Sequence, residues 1–216
     1  PQWFEIGNEL FYNYRSTGAK ARVSAYAPKI RDAYTAIKQG NPNVKLLCAL
    51  ELDTQGASGY QEVVDRAWNA VPDFDDFVDG WVFHTYGPLT SAAVAKVDEF
   101  LTRYAAKGAP STIPIYITED GVSSDNGRTL TNNYGWPLNQ TYAQAGAALR
   151  SKLLGVKDTF GWSPRLRLWT NYQAHDQQAP GATSDREHYF GVVQSNRTTA
   201  KGDITQSVRD HATLYP

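Results

Sequence analysis

Cysteine is nearly absent from this chain of 216 residues. The single one, Cys48, lies in the apolar run 44–50, and no second cysteine is present to pair with it. In such a run a free cysteine behaves as a small apolar residue of a buried strand. The sequence therefore excludes an intrachain disulfide framework.

The chain has neither an excess of charge nor a long apolar run. Lysine and arginine number 21 against 22 aspartates and glutamates, which gives a net charge of -1. Such a balance offers no basic surface for nucleic acid or an anionic membrane. No run approaches the roughly 18 apolar residues that a membrane-spanning helix needs. We therefore expect no nucleic-acid partner and no membrane-spanning segment.

The motifs of several large enzyme classes are missing as well. The sequence contains no Gly-x-Ser-x-Gly, no phosphate-binding loop and no Gly-x-Gly-x-x-Gly. Its histidines, His84, His175, His188 and His211, lack the spacing of metal ligands. The acidic segment 72–79 lacks the glycine and the spaced glutamate of a calcium loop, which favours a solvated loop with capping carboxylates. No cofactor and no metal is implied.

What the chain does have is a regular alternation of predicted strands and helices. Strands are predicted at 3–9, 45–52, 80–88, 113–121 and 165–170, and helices at 19–40, 59–70, 91–108, 142–156 and 203–215. This alternation implies an α/β fold with a parallel sheet covered by helices. Without a repeat or a linker, residues 1–216 are predicted to form one domain. Five units are too few for an eight-fold barrel, so the sheet is either open or the later part of a barrel.

Two of the predicted strands end in a glutamate. The opening strand runs into Gly7-Asn8-Glu9, and a β-branched strand further on runs into Thr118-Glu119 before a glycine. Parallel sheets and barrels place their functional side chains at the C-terminal ends of strands. The two glutamates therefore suggest one site with two carboxylates.

Other polar and aromatic residues are predicted near the same strand ends. A polar loop at 123–139 is longer than a usual connection between strand and helix, and long loops of this kind are often functional. Candidates to line a cleft or to bind substrate hydroxyls are Tyr134, Trp136 and Tyr142 among the aromatic residues and Glu51, Asn171 and Asp176 among the polar ones.

Taken together, these residues resemble the clan A glycoside hydrolases, which are retaining enzymes with a (β/α)8 barrel. In that clan an Asn-Glu pair ends the fourth strand and a glutamate ends the seventh, with two strands between them. The clan also has a His-x-Tyr sequence on the sixth strand and a tryptophan on the eighth. The residues that carry the resemblance are Asn8-Glu9, His84-Thr85-Tyr86, Thr118-Glu119-Asp120-Gly121 and Trp169.

The resemblance implies a TIM-type barrel in which this chain supplies strands four to eight, the C-terminal five βα units. Strands one to three have no counterpart, so we expect a fragment of a longer polypeptide. The resemblance also implies a retaining double displacement, with Glu9 as acid/base and Glu119 as nucleophile.

Four further residues are implied to bind substrate. Asn8 would donate to the sugar 2-hydroxyl, although an isolated asparagine at such a position is more often a turn former. His84 and Tyr86 would orient Glu119 or contact the sugar, although a histidine in a strand is equally consistent with the core. Trp169 is either a stacking platform for a sugar ring or part of the core packing.

We therefore expect a hydrolase that cleaves the O-glycosidic bonds of oligo- or polysaccharides. The alternative is a noncatalytic carbohydrate-binding or scaffold protein with a barrel-derived fold. The missing strands favour this alternative, and the two intact glutamates count against it. The resemblance alone favours a secreted or extracellular protein, while sugar, linkage, endo or exo action and oligomeric state stay open.

Overall fold

A computed structural model describes residues 3–8, 17–49, 59–131, 134–158 and 165–212. The strands are β1 (Trp3–Ile6), β2 (Lys45–Ala49), β3 (Gly80–His84), β4 (Ile115–Asp120) and β5 (Leu166–Asn171). The helices are α1 (Thr17–Gly40), α2 (Gly59–Ala70), α3 (Ser91–Ala106), α4 (Tyr142–Asp158) and α5 (Asp203–Ala212), with short 3₁₀ helices at Phe74–Phe77 and Arg186–His188. None of the helices within these ranges is long and apolar enough to cross a membrane.

The five strands form one sheet in sequence order. β1 pairs with β2 in parallel, with Trp3 opposite Lys45, and β2 pairs with β3 in parallel, with Leu47 opposite Gly80. Backbone hydrogen bonds link β3 to β4 and β4 to β5. Within each pair the residue numbers of the two strands increase in the same direction, which is the parallel arrangement. These bonds are Trp81 N to Pro114 O, Thr85 N to Glu119 O, Ile115 N to Arg165 O and Tyr172 N to Asp120 O. The predicted α/β class with a parallel sheet is confirmed.

The chain divides into two compact units. The first comprises Pro1–His84, Thr90–Tyr116 and Arg165–Arg167. Its core contains the indole of Trp81 stacked on the ring of Tyr104, with 4.0 Å between ring centroids and 5° between planes. Large aromatic side chains that bury both faces in this way supply much of the apolar area of a core.

The acidic segment of the first unit folds as a 3₁₀ helix with structural carboxylates around it. The carboxylate of Asp79 accepts the backbone N–H of Leu46 at 2.8 Å and pairs with the ammonium of Lys38 at 2.8 Å. These contacts fix the end of α1 and the start of β2 against the turn that precedes β3.

The second unit comprises Thr85–Leu89, Ile117–Pro164 and Leu168–Pro216. In it α4 packs against α5 at a close approach, because a Cβ on Gly146 would lie 2.5 Å from the backbone carbon of Asp203. The buried cluster of this unit consists of Val122, Trp136, Ala145, Leu149, Leu153 and Ile204. The prediction of a single domain stays a prediction.

Candidate active site

The end of β4 holds two adjacent carboxylates, and they have different surroundings. Glu119 is half-buried, whereas Asp120 is fully buried. Because successive side chains of a strand point to opposite faces of the sheet, these two residues serve opposite sides of β4. The backbone N–H of Thr85 donates to Glu119 O at 3.3 Å and that of Tyr172 donates to Asp120 O at 2.7 Å. The segments that carry Thr85 and Tyr172 therefore flank both carboxylates.

The carboxylate of Glu119 is held by a tyrosine. The hydroxyl of Tyr86, two residues beyond β3, donates to Glu119 Oε2 at 3.0 Å. Burial, reinforced by the negative charge of Glu119, raises the pKa of Tyr86 well above its ordinary value. The phenol therefore stays protonated, and stays a donor, throughout the neutral range.

An aromatic cluster surrounds this hydrogen bond. It consists of Tyr86, Tyr134, Tyr172 and Phe190, and we call it the Glu119 cluster. The ring of Tyr86 stacks on Tyr134 with 4.9 Å between centroids, and it meets Phe190 at 5.4 Å and Tyr172 at 6.2 Å, both edge to face. Tyr134 keeps 39% of its surface exposed. The partly exposed Tyr134 therefore lies at the solvent-facing side of this cluster.

The loop after β4 brings Tyr134 into this cluster by close backbone packing. Gly87 has φ +90°, and a Cβ there would lie 2.2 Å from the carbonyl oxygen of Tyr134. The hydroxyl of Tyr134 donates to Glu187 at 3.0 Å, and the guanidinium carbon of Arg186 lies 3.8 Å from the centre of its ring. Tyr134 is therefore held by contacts at its backbone, its ring and its hydroxyl.

A second network lies on the Asp120 side of β4. Asp120 Oδ1 accepts from the ammonium of Lys152 at 2.6 Å and from the N–H of Gly121 at 2.7 Å. Asp120 Oδ2 accepts from the indole N–H of Trp169 at 3.0 Å and from the hydroxyl of Thr85 at 3.1 Å. The ammonium of Lys152 also donates to the carbonyl of Thr85. All four lone-pair directions of this buried carboxylate are occupied.

The burial of Lys152 lowers its pKa, while the charge and hydrogen bond of Asp120 oppose the change. The ammonium form is the one that the geometry supports, because its nitrogen has two oxygen acceptors and the side chain is 1% exposed. A buried cation with saturated partners is consistent with an ion pair rather than with a neutral amine.

Of the predicted site residues, the structure brings together Glu119 and Tyr86. Trp169 donates to Asp120, and its ring packs against the buried cluster of the second unit, so its role as a sugar platform stays a prediction. In the first unit His84 is buried, with Nε2 3.9 Å from Glu5 Oε1.

The remaining predicted residues have various positions. Asn8 is exposed just after β1. Glu9 and Glu51 lie outside the residues that the structure describes. Asn171 donates its side-chain amide to the carbonyl of Gln173 at 3.1 Å.

Two of the other candidates also have structural contacts. Asp176 is buried and pairs with the ammonium of Lys201 at 2.8 Å. Trp136 donates its indole N–H to Gly121 O at 3.2 Å.

Sequence reasoning included Asp120 only within the motif Thr118-Glu119-Asp120-Gly121 and missed Lys152, Tyr172 and Phe190 as parts of this region. Lys152 left a readable signal, because it shares the helical spacing of the buried Leu149, Leu153 and Val156 on α4. A lysine within an apolar stripe indicates a buried partner of opposite charge. Tyr172 and Phe190 lie in irregular segments, where no periodicity indicates a face.

No protein-family model and no curated protein matches the sequence. Among solved structures, the chain is similar to a β-glucuronidase from Bacteroides uniformis, with 15% identity and a TM-score of 0.57 over 91% of this chain and 22% of the other. It is also similar to a GH2 β-galacturonidase from Eisenbergiella tayi, with 15% identity and a TM-score of 0.55 over 99% and 33%. A fungal β-1,4-galactanase gives 13% identity and a TM-score of 0.61 over 96% and 61%.

The chain thus spans only 22% to 61% of the lengths of these proteins. At such identities the likeness defines the fold alone. Five parallel strands in sequence order, alternating with helices, are five βα units of the TIM-type barrel found in these glycoside hydrolases. The predicted fold class and the predicted resemblance to barrel glycosidases are confirmed at this level.

Proposed function

We propose that the chain is part of the catalytic barrel of a glycosidase that cleaves O-glycosidic bonds with retention of configuration. Glu119 is the nucleophile in this proposal, and Glu9 is the acid/base. The observation that carries it is the carboxylate of Glu119 at the C-terminal end of a parallel strand, held at 3.0 Å by the hydroxyl of Tyr86 within an aromatic cluster.

In the first step the Glu119 carboxylate attacks the anomeric carbon while Glu9 donates a proton to the leaving oxygen. In the second step Glu9 removes a proton from water, and the resulting hydroxide equivalent displaces Glu119 from the sugar. The hydroxyl of Tyr86 restricts the carboxylate of Glu119 to one rotamer without neutralising it. A fixed nucleophile lowers the entropic cost of attack.

The proposed substrate is an oligo- or polysaccharide. Similar solved structures include enzymes named for β-glucuronides, β-galacturonides and β-1,4-galactan, so the glycosidic bond is what these activities share. The aromatic residues of the Glu119 cluster support a carbohydrate substrate beside Glu119, and Tyr134 among them is 39% exposed. Asn8 as a donor to the 2-hydroxyl, and His84 and Trp169 as substrate-binding residues, belong to the same proposal.

The test uses the complete polypeptide and a panel of 2,4-dinitrophenyl glycosides, whose leaving group needs no acid. Glu119→Ala removes the nucleophile, so hydrolysis is lost and added azide yields a glycosyl azide of inverted configuration. Glu9→Ala leaves glycosylation of the enzyme intact, so azide captures the intermediate and yields a glycosyl azide of retained configuration. Glu99→Gln, on α3, is the control that keeps wild-type turnover.

Wild-type-like hydrolysis by Glu119→Ala, or the same azide product from both variants, would overturn these assignments. A noncatalytic carbohydrate-binding protein gives a different pattern. Calorimetry would then detect oligosaccharide binding by the wild-type protein, while no glycoside of the panel is hydrolysed.

A further inference from the structure

A buried ion pair lies directly behind the Glu119 cluster, and ordinary packing does not require it. The side chains of Lys152 and Asp120 are 1% and 0% exposed. Burying two charges costs several kcal/mol for each ion before pairing offsets it, and an apolar pair of similar volume is often as stable. The positions of the two ions indicate what the pair does.

The ammonium of Lys152 contacts the immediate neighbours of both members of the Glu119–Tyr86 hydrogen bond. On β4 it binds Asp120, the residue after Glu119. Beyond β3 it binds the carbonyl of Thr85, the residue before Tyr86. One nitrogen therefore ties together the two backbone segments whose separation decides whether Tyr86 reaches Glu119.

The remaining bonds of this network act between the same two segments. The hydroxyl of Thr85 donates to Asp120, and its N–H donates to the carbonyl of Glu119. The indole N–H of Trp169, on β5, also donates to Asp120 and so connects the end of a third strand to this network. Without a cation, the Asp120 carboxylate and the Thr85 carbonyl would be two acceptors facing each other in a buried space, and they would repel.

We propose that Lys152 is a positioning residue, whose ammonium holds Asp120 and Thr85 together and thereby keeps the carboxylate of Glu119 within hydrogen-bonding distance of Tyr86. This inference rests on the proposed role of Glu119 as nucleophile. Its geometric content, the dependence of the Glu119–Tyr86 contact on Lys152, is measurable without any activity.

The surroundings of Lys152 allow a conservative replacement. A cavity of about 340 Å³ borders it, lined also by Pro88, Leu89, Trp136, Ala148, Ser151 and Gly155. Arginine is longer than lysine and carries five donors in a planar fork. Because the cavity offers room for the larger group, Lys152→Arg is expected to keep a bond to both acceptors.

The protein also offers a matched control. Lys38, on α1 of the first unit, pairs with the carboxylate of Asp79 at 2.8 Å, and both side chains are largely buried. Its ammonium also binds the carbonyl of Val44 at 2.8 Å. Lys38→Met therefore breaks an ion pair with the same kinds of acceptor without touching Asp120, Thr85 or the residues of the Glu119 cluster.

The first measurement is kinetic, on the complete polypeptide with 2,4-dinitrophenyl glycosides at a temperature where urea unfolding shows each variant to be folded. Lys152→Met is expected to lower kcat by about 10- to 100-fold with KM changed less than about threefold, since a displacement near 1 Å costs rates of this order. Lys152→Arg is expected to recover kcat to within about fivefold, and Lys38→Met to retain it within about threefold despite its lower stability.

The second measurement is the crystal structure of Lys152→Met. The distance between Tyr86 Oη and Glu119 Oε2, 3.0 Å in the wild-type chain, is expected to exceed about 3.5 Å, beyond a hydrogen bond. If the methionine variant does not fold, Lys152→Gln, which keeps one amide donor, is tested by the same two criteria.

An unchanged distance together with wild-type kcat in the folded variant would overturn the inference. Equal losses of kcat in Lys152→Met and Lys38→Met would also overturn it, because a purely structural role predicts them. If the wild-type protein hydrolyses no glycoside, the proposed function fails, and the crystallographic distance still decides whether Lys152 positions Glu119.

Discussion

Tyr86→Phe tests the central contact of the candidate site with the smallest change the chain allows. The variant removes one oxygen and leaves the ring that stacks on Tyr134 at 4.9 Å and meets Phe190 at 5.4 Å. What is lost is a hydrogen bond of 3.0 Å to a carboxylate. The expected effect therefore falls on Glu119 and not on the packing of the cluster.

The magnitude follows from the charge of the acceptor. A hydrogen bond to a charged group contributes about 1.5 to 3 kcal/mol, more than one between neutral groups. If the contact is fully used in the transition state, kcat/KM should fall by about 10- to 150-fold, at about 1.4 kcal/mol for each tenfold change. The free energy of unfolding should fall by no more than about 1.5 kcal/mol, because the half-buried Glu119 can regain a water partner.

The assay compares kcat/KM on a 2,4-dinitrophenyl glycoside with the midpoint of urea unfolding. Tyr189→Phe is the matched control, because its hydroxyl accepts from the N–H of Thr183 at 3.0 Å and donates to the carbonyl of Ala179 at 3.2 Å. This control should lose stability and keep its rate. A change in kcat/KM below about twofold for Tyr86→Phe would refute the argument, since the bond would then contribute nothing to catalysis.

Two further predictions concern stability. Gly87→Ala and Gly108→Ala both place a side chain on a residue with positive φ, +90° and +103° respectively. At Gly87 the new Cβ would lie 2.2 Å from the backbone oxygen of Tyr134, whereas the space around Gly108 is open. Urea unfolding should show that the free energy of unfolding falls by about 1 to 3 kcal/mol for Gly108→Ala and by at least about 1 kcal/mol more for Gly87→Ala. Equal losses would contradict the close approach of Gly87 to the backbone of Tyr134. Tyr104→Phe removes a buried hydroxyl that has no hydrogen-bond partner in the described part of the chain, so stability at neutral pH should be unchanged or up to about 1 kcal/mol higher. Burial raises the pKa of Tyr104, so above a pH of about 10 the unfolded chain loses a proton that the folded chain keeps. The free energy of unfolding then falls by up to about 1.4 kcal/mol per pH unit. Tyr104→Phe should reduce this fall, and an unchanged dependence of the unfolding free energy on pH in the alkaline range would contradict the raised pKa of Tyr104.

The alternation of elements was predictable because each one has local signals. The predicted helix at 59–70 matches α2, which ends shortly before Pro72, and the predicted helix at 19–40 differs from α1 by two residues at its start. Strand ends were less accurate: the strand predicted at 80–88 ends at His84 in the structure. Tyr86, whose hydroxyl donates to Glu119, therefore lies beyond the strand and not within it.

The contacts of the candidate site were less predictable, because they depend on loops and on faces. Tyr134 has φ +50°, a backbone conformation that is uncommon for a tyrosine and that no pattern in its loop predicts. Trp169 was the obvious aromatic residue of its strand, yet β5 shows no simple alternation of buried and exposed positions that would assign it to a face. Only the partner of its indole, Asp120, shows which carboxylate it serves.

The end of β4 therefore separates two tasks that adjoining residues perform on opposite faces. Glu119 meets the hydroxyl of Tyr86, while Asp120 is saturated by donors that include the ammonium of Lys152. Tyr86→Phe removes the hydrogen bond itself and leaves the separation of the two backbone segments unchanged. Lys152→Met changes that separation and leaves the hydroxyl of Tyr86 in place. If the two act on the same bond, the double variant should lose little more activity than the more impaired single one, because neither can remove a contact that is already lost. Multiplied losses would instead mean that Lys152 supports catalysis by a route that does not pass through Tyr86.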